Sequence, residues 1–139
     1  MIATEARYAG GDRSEIRIGR HRVIADQPHE AGGTDAGPTP TELFVASLAG
    51  CAEFYVERFL RRHTRSLDGL VVRATAEMSD ERPARLARIT VEVELPPNIA
   101  PELRDGAMRA ADHCLVHEAL RRPPVVDLTL APDRAAAPA

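Results

Sequence analysis

The stretch Gly37-Pro-Thr-Pro-Thr-Glu-Leu-Phe-Val-Ala-Ser-Leu-Ala-Gly-Cys51 decides the fold. Thr39 is a good N-cap, Pro40 suits the first helical position, and Glu42 completes a T-x-x-E capping box. From Leu43 to Cys51 only Ser47 is polar, and Gly50 leaves room for a close neighbour. The continuation, Ala52 to His63, is amphipathic: Phe54, Tyr55, Phe59 and Leu60 are assigned to the inside, Glu53, Glu57, Arg58, Arg61 and Arg62 to the outside. The helix thus passes from fully buried to half exposed. Burial all round in a small domain needs cover on every side, which points to a dimer.

Working outward, residues 2–8 and 14–18 alternate as strands, with Gly10-Gly11-Asp12 as the hairpin turn between them. Residues 21–26 read as a third short strand. The loop that follows, up to Pro38, is rich in Gly, Pro and Asp and long enough to suggest function. Beyond the helix, 69–79 and 86–95 are two long alternating strands joined by a hairpin loop. Pro101 opens another helix, interrupted or kinked near Ala111–Asp112 and stopped by Pro123-Pro124. Residues 125–130 read as a last strand. The order βββ-α-ββ-α-β defines an α+β fold, an antiparallel sheet packed on two helices. Residues 1–131 form one domain on this pattern, and 132–139 a small-residue, Pro-rich disordered tail.

With 139 residues the chain suffices for one domain with a real core. Its 44% apolar and 28% charged content is ordinary for a globular protein. Trp is absent and aromatics are few, so aliphatic residues must build the core. A net charge of −3 gives no electrostatic case for nucleic acid. All 18 basic residues are Arg, so lysine-base and Schiff-base chemistry are excluded. No apolar run approaches the ~20 residues of a membrane span, and the N-terminus lacks the pattern of a secretory signal. A cytoplasmic location is expected.

Two cysteines do not make a disulfide framework. In a reducing compartment such a pair is catalytic, metal-binding or merely buried. Cys51 and Cys114 each fall on a predicted helix that the sheet must cover, so they could face each other. Adjacent helices permit the Cα separation of under ~7 Å that a disulfide needs. The bland alternative is two small core residues. Cys51 lies too deep in its helix for the N-terminal dipole to help, and apolar burial raises a thiol's pKa. A reactive Cys51 therefore needs an imported positive charge. The upstream arginines are Arg7, Arg13, Arg17, Arg20 and Arg22, with Arg13, at the first hairpin, the first choice. Glu42 could orient that guanidinium through bidentate hydrogen bonds, alongside or instead of its capping role. Cys114 and His117 share a helical face and, with His113 and Cys51, would supply tetrahedral zinc ligands. Structural zinc sites usually pair ligands at both ends, and Cys51 stands alone, so no metal is assigned.

The segments Gly32–Cys51 and Ala111–Leu120, with a Pro-stopped final strand, resemble the OsmC/Ohr family, the osmotically inducible and organic hydroperoxide resistance proteins. The resemblance covers residues 2–131. It implies an intertwined homodimer in which antiparallel sheets wrap around two central helices and the sites form at the subunit interface. It implies a peroxiredoxin-like, antioxidant role in stress response, with Cys51 as peroxidatic and Cys114 as resolving cysteine. Organic hydroperoxide would be the substrate, a lipoyl-type dithiol the reductant, and no cofactor would be needed. Two departures stand out. The family's glutamate directly after the proline is here Thr41, with Glu42 one later. In the second motif, Leu115 and His117 stand where Pro and Ser are common. An enzyme using the Cys51–Cys114 pair is one expectation; a non-catalytic binding or redox-sensing protein on the same scaffold is the other.

Overall fold

A computed structural model describes residues 1–64, 66–97 and 99–132. Three strands open the chain: β1 (Thr4–Tyr8), β2 (Ser14–Ile18) and β3 (His21–Ala25). They form an antiparallel sheet in the order β1-β2-β3, with Ala6 opposite Ile16 and Ile16 opposite Val23. The β1–β2 turn works because Gly10 and Gly11 both adopt positive φ, 91° and 58°. Helix α1 (Pro40–Leu60) follows, then β4 (Val71–Met78), β5 (Leu86–Glu94), α2 (Pro101–Asp112) and α3 (Leu115–Arg121). Among the described residues β4 and β5 pair only with each other, with an irregularity at Glu77/Met78.

The predicted antiparallel sheet is therefore two separate sheets within one chain. No strand bridges β3 and β4 among the described residues, and the first sheet has no substantial packing on any helix. Its β1 is exposed throughout. The predicted last strand, 125–130, joins no ladder: Val125, Val126, Leu128 and Leu130 are 75–97% exposed. The predicted second helix is two, broken at His113–Cys114 rather than at 111–112. Of the expected tail, Arg134 to Ala139 and the residue before lie outside the described residues. Among the described residues no helix is long and apolar enough to cross a membrane.

The start of α1 is as expected. The Glu42 amide donates to Thr39 Oγ1 at 3.2 Å, and the Thr39 amide donates to Glu42 Oε2 at 2.7 Å, a complete capping box. Leu48, Ala52, Val56 and Leu60 then recur every fourth residue and form the buried stripe. They pack on Ala107 and Ala111 of α2 and on the inward residues of β4 and β5, among them Val72, Ile89 and Val91. The other face of α1 is not covered by the described residues of its own chain. Phe54 is 49% exposed, and nothing lies within 4 Å of a Cβ placed on Gly50. Phe54, assigned inward by periodicity, instead makes an edge contact with Tyr55 and stacks under the Arg58 guanidinium.

Close packing also explains a glycine in the middle of α2. A side chain on Gly106 would collide with the Phe59 ring of α1. Gly106→Ala should cost about 1–3 kcal/mol through overpacking, despite the better helix propensity of Ala, and chemical denaturation will measure it.

The long loop between β3 and α1 is tied down by one carboxylate. Asp26, 1% exposed, accepts from the Gln27 amide at 2.8 Å through Oδ1. Its Oδ2 accepts from the Thr34 hydroxyl at 2.6 Å and from the Thr34 and Ala36 amides at 3.1 Å. The Asp26 amide donates to the Pro38 carbonyl at 3.3 Å, so the loop is closed onto the end of β3 just before the cap of α1. The carboxylate is enclosed by its own loop rather than by the core, and the Thr34 hydroxyl and Ala36 amide hold it far below the usual carboxylate range. A depressed folded pKa means the stabilisation is complete above the unfolded pKa of about 3.9 and is lost as pH falls below it. Asp26→Asn should lower the melting temperature at pH 7, and the gap to the parent should narrow as pH is taken below about 4.

Candidate functional site

Two elements bring the cysteines together. Cys51 borders the buried stripe of α1 between Leu48 and Ala52 and is half-buried. Helix α2 ends at Asp112; His113 then takes φ −94°, ψ 17° and Cys114 φ −68°, ψ 147°. That extended residue turns the chain, and Cys114 becomes the N-cap of α3 with its side chain wholly buried. Helix α3 packs on α1, and Val116 and Cys51 both pack against the core. The Cys51 and Cys114 thiols are consequently neighbours, and both are free. Residues 63 positions apart in sequence are neighbours in the core.

Burial pushes the Cys114 thiol up; the His117 amide at the start of α3 opposes this, and the adjacent Cys51 sulfur pushes it further. The sulfur makes no formed cap hydrogen bond, so the helix start relieves burial only in part.

A cavity of about 880 Å³ lies between α1, β5 and the α2–α3 break. Its apolar wall includes Phe44, Leu48, Ala52, Val91, Met108 and Ala111. Leu48 and Ala52 flank Cys51 on α1, and Ala111 precedes Cys114 by three residues. Asp112, His117, Arg121 and Arg88 supply the polar part of the wall. Such a space suits an apolar molecule carrying one polar group.

The other two expected site residues sit elsewhere in the chain. The Arg13 guanidinium donates to the Gly10 carbonyl of its own turn at 3.4 Å. Glu42 is engaged in the capping box, whose Thr39 amide and hydroxyl hold its carboxyl below the ordinary value. It lines a smaller groove of about 450 Å³ with Val45, Ala49, Ala74 and Ala76. Nine helical positions separate Glu42 from Cys51, about 13 Å of rise. A single chain therefore brings Cys51 and Cys114 together, but neither Arg13 nor Glu42 with them. The histidines also part company. His113 faces the Arg109 carbonyl at 2.8 Å, whereas His117 Nδ1 lies 3.6 Å from Asp112 Oδ1. Among the described residues no group of three or more His, Cys, Asp or Glu is arranged to hold a metal.

Sequence reasoning passed over Asp112 and Arg121. They are nine positions apart, a spacing that means nothing on one continuous helix. It becomes a contact only once the helix breaks at residues 113–114.

The α+β arrangement, with its helix-borne cysteine pair, is that of a known family. The family model for OsmC-like protein matches residues 32–129, and the chain belongs to that family. A solved structure from Psychrobacter arcticus, assigned to osmotic stress induction and the detoxification response, aligns with a TM-score of 0.76 at 20% identity, over 86% of this chain and 88% of that one. An OsmC-like protein from Mycoplasma pneumoniae aligns at 0.73 and 16% identity, over 87% of both chains. The organic hydroperoxide resistance protein OhrB of Bacillus subtilis aligns at 0.63 and 21% identity, over 88% and 92%. At these identities the likeness speaks for the fold. No curated protein sequence matches the chain.

The two thiols should differ sharply in reactivity. With iodoacetamide at pH 7–9, Cys51 should be alkylated well ahead of the buried Cys114, whose ionisation is suppressed; peptide mass spectrometry over a time course gives the order.

Proposed function

We propose that this protein is a thiol-dependent peroxidase that reduces organic hydroperoxides. The observation that carries the proposal is the adjacency of Cys51 and Cys114 beside an apolar cavity. The Cys51 thiolate attacks the O–O bond of the hydroperoxide; the alcohol leaves after taking a proton, and Cys51 becomes a sulfenic acid. Cys114 attacks that sulfur, a disulfide closes and water leaves. An external dithiol then restores both thiols by exchange and is itself oxidised; a lipoyl-type dithiol is the reductant we assign. The two sulfurs supply both electrons, so the cycle calls on no bound cofactor. Its place would be the cytoplasm, where thiols are kept reduced.

The working form would be an intertwined homodimer. The chain exposes 11087 Å², where a compact monomer of this mass exposes about 7,100 Å². Obligate partners commonly bury ~2,000–5,000 Å², and the bare face of α1, the unsupported first sheet and the apolar residues of 125–130 are surfaces for a second copy to cover. In that dimer Arg13 would supply the positive charge that keeps Cys51 ionised, and Glu42 would orient it; neither reaches Cys51 within one chain.

A second reading, a non-catalytic binding or redox-sensing protein, draws on one observation: Leu48, Ala52 and Ala111 line the cavity, while neither sulfur does. Exposure of reduced protein to cumene hydroperoxide separates the two. Peroxidase chemistry removes two hydrogens from the intact mass and links the Cys51 and Cys114 peptides; binding alone leaves the mass unchanged. Cys51→Ser should abolish turnover, and full turnover in that variant would end the peroxidase mechanism.

A further inference from the structure

We propose that Asp112, Arg121 and His117 form a clasp across the α2–α3 break, and that these positioning residues hold Cys114 aimed at Cys51 for disulfide closure. The proposal rests on the peroxidase reading above and adds the device that makes its second half work.

The backbone couples the two helices weakly. The last bond of α2 runs from the His113 amide to the Arg109 carbonyl at 3.1 Å, and α3 resumes with the Glu118 amide donating to the Cys114 carbonyl at 2.9 Å. Between them, the Cys114 amide donates to the Ala111 carbonyl at 3.2 Å. Helix α3 packs on α1 and has no substantial packing on α2. Seven residues make a short helix, which in isolation is not stable. Rotation about residues 113–114 would swing the Cys114 side chain away from Cys51.

Side chains close that hinge. Arg121, in the last turn of α3, bonds and ion-pairs through Nη2 with Asp112 Oδ1, the last residue of α2. The same oxygen faces His117 Nδ1 at 3.6 Å. Glu118 steadies Arg121 from its own helix, Nη1 to Oε1 at 3.4 Å. The arginine lowers the Asp112 carboxyl below its ordinary value, so the clasp is charged at neutral pH. All three members line the cavity beside the cysteines rather than pointing to open solvent alone. The pair bridges the segment that carries Cys114.

Closure can be read without peroxide. In a glutathione redox buffer, oxidised glutathione takes two electrons from Cys51 and Cys114, leaving one protein disulfide and two reduced glutathiones; the rate read is closure from the Cys51–glutathione mixed disulfide. Arg121→Gln should slow closure about threefold to fivefold. The charge-exchanged double variant, Asp112→Arg with Arg121→Asp, should recover at least half of the loss, which a purely steric role would not allow. Raising NaCl from about 0.05 M to about 1 M should slow the parent toward the variant while leaving Arg121→Gln unchanged, because salt screens exposed pairs. Equal closure in Arg121→Gln and parent, no recovery in the exchanged pair, or no salt effect specific to the parent would each overturn the clasp. A parent that forms the mixed disulfide but never the Cys51–Cys114 bond would overturn the clasp and the peroxidase cycle together.

Discussion

Helix α1 cannot be left bare, and most of the structure follows from that constraint. Its buried stripe, Leu48 to Leu60, is covered by α2 and by β4 and β5. Its opposite face, with Gly50 and Phe54, has no cover from the described residues of the same chain. Cys51 sits between the two faces, half-buried. It is close enough to the core to meet Cys114 and close enough to the open side to meet something from outside. A thiol placed on either face alone would have only one of those neighbours.

Much of this was legible where a residue pattern has one physical meaning. Thr39 and Glu42 mark a helix start because the reciprocal cap bonds need those side chains at that spacing, and the structure forms both bonds. The β4 and β5 ranges follow from alternation because one face of that hairpin is buried on α1. Where burial depends on what lies outside the chain, the pattern misleads. Phe54 has inward periodicity yet is exposed, and Val125, Val126, Leu128 and Leu130 read as a strand yet join no ladder among the described residues. A hydrophobic period states that a face will be covered, not by which molecule.

The site was legible to the same degree. The cysteines were found because thiols are rare in this chain, and their meeting needed only that two helices pack. Asp26 gave no signal: an Asp before a Gly-rich loop is common, and its four hydrogen bonds come from a loop path that composition does not encode. Arg13 stands out in the sequence by its charge and its place at the first hairpin. Its hairpin belongs to a sheet with no substantial packing on any helix of its chain, so charge could not say where it points.

The state of Cys114 constrains the return half of the proposed cycle. Thiol–disulfide exchange favours expelling the sulfur of lower pKa and attacking the sulfur that is accessible. Burial gives Cys114 a raised pKa, which makes it a poor leaving group, and also hides it from a reductant. Attack at the half-exposed Cys51 must therefore expel the poorer leaving group, whereas attack that spares Cys114 as leaving group must reach a sulfur with no exposure. A rigid site would be trapped between these demands. A short α3 held by side chains rather than by continuous helix would resolve the conflict if opening the proposed Asp112–Arg121 clasp brought Cys114 to solvent, where its thiolate would be stabilised and its sulfur could be attacked. On that proposal the same weak joint would be clasped for closure and released for reduction, and a surface ion pair, strong enough to bias an orientation and too weak to lock it, is suited to both.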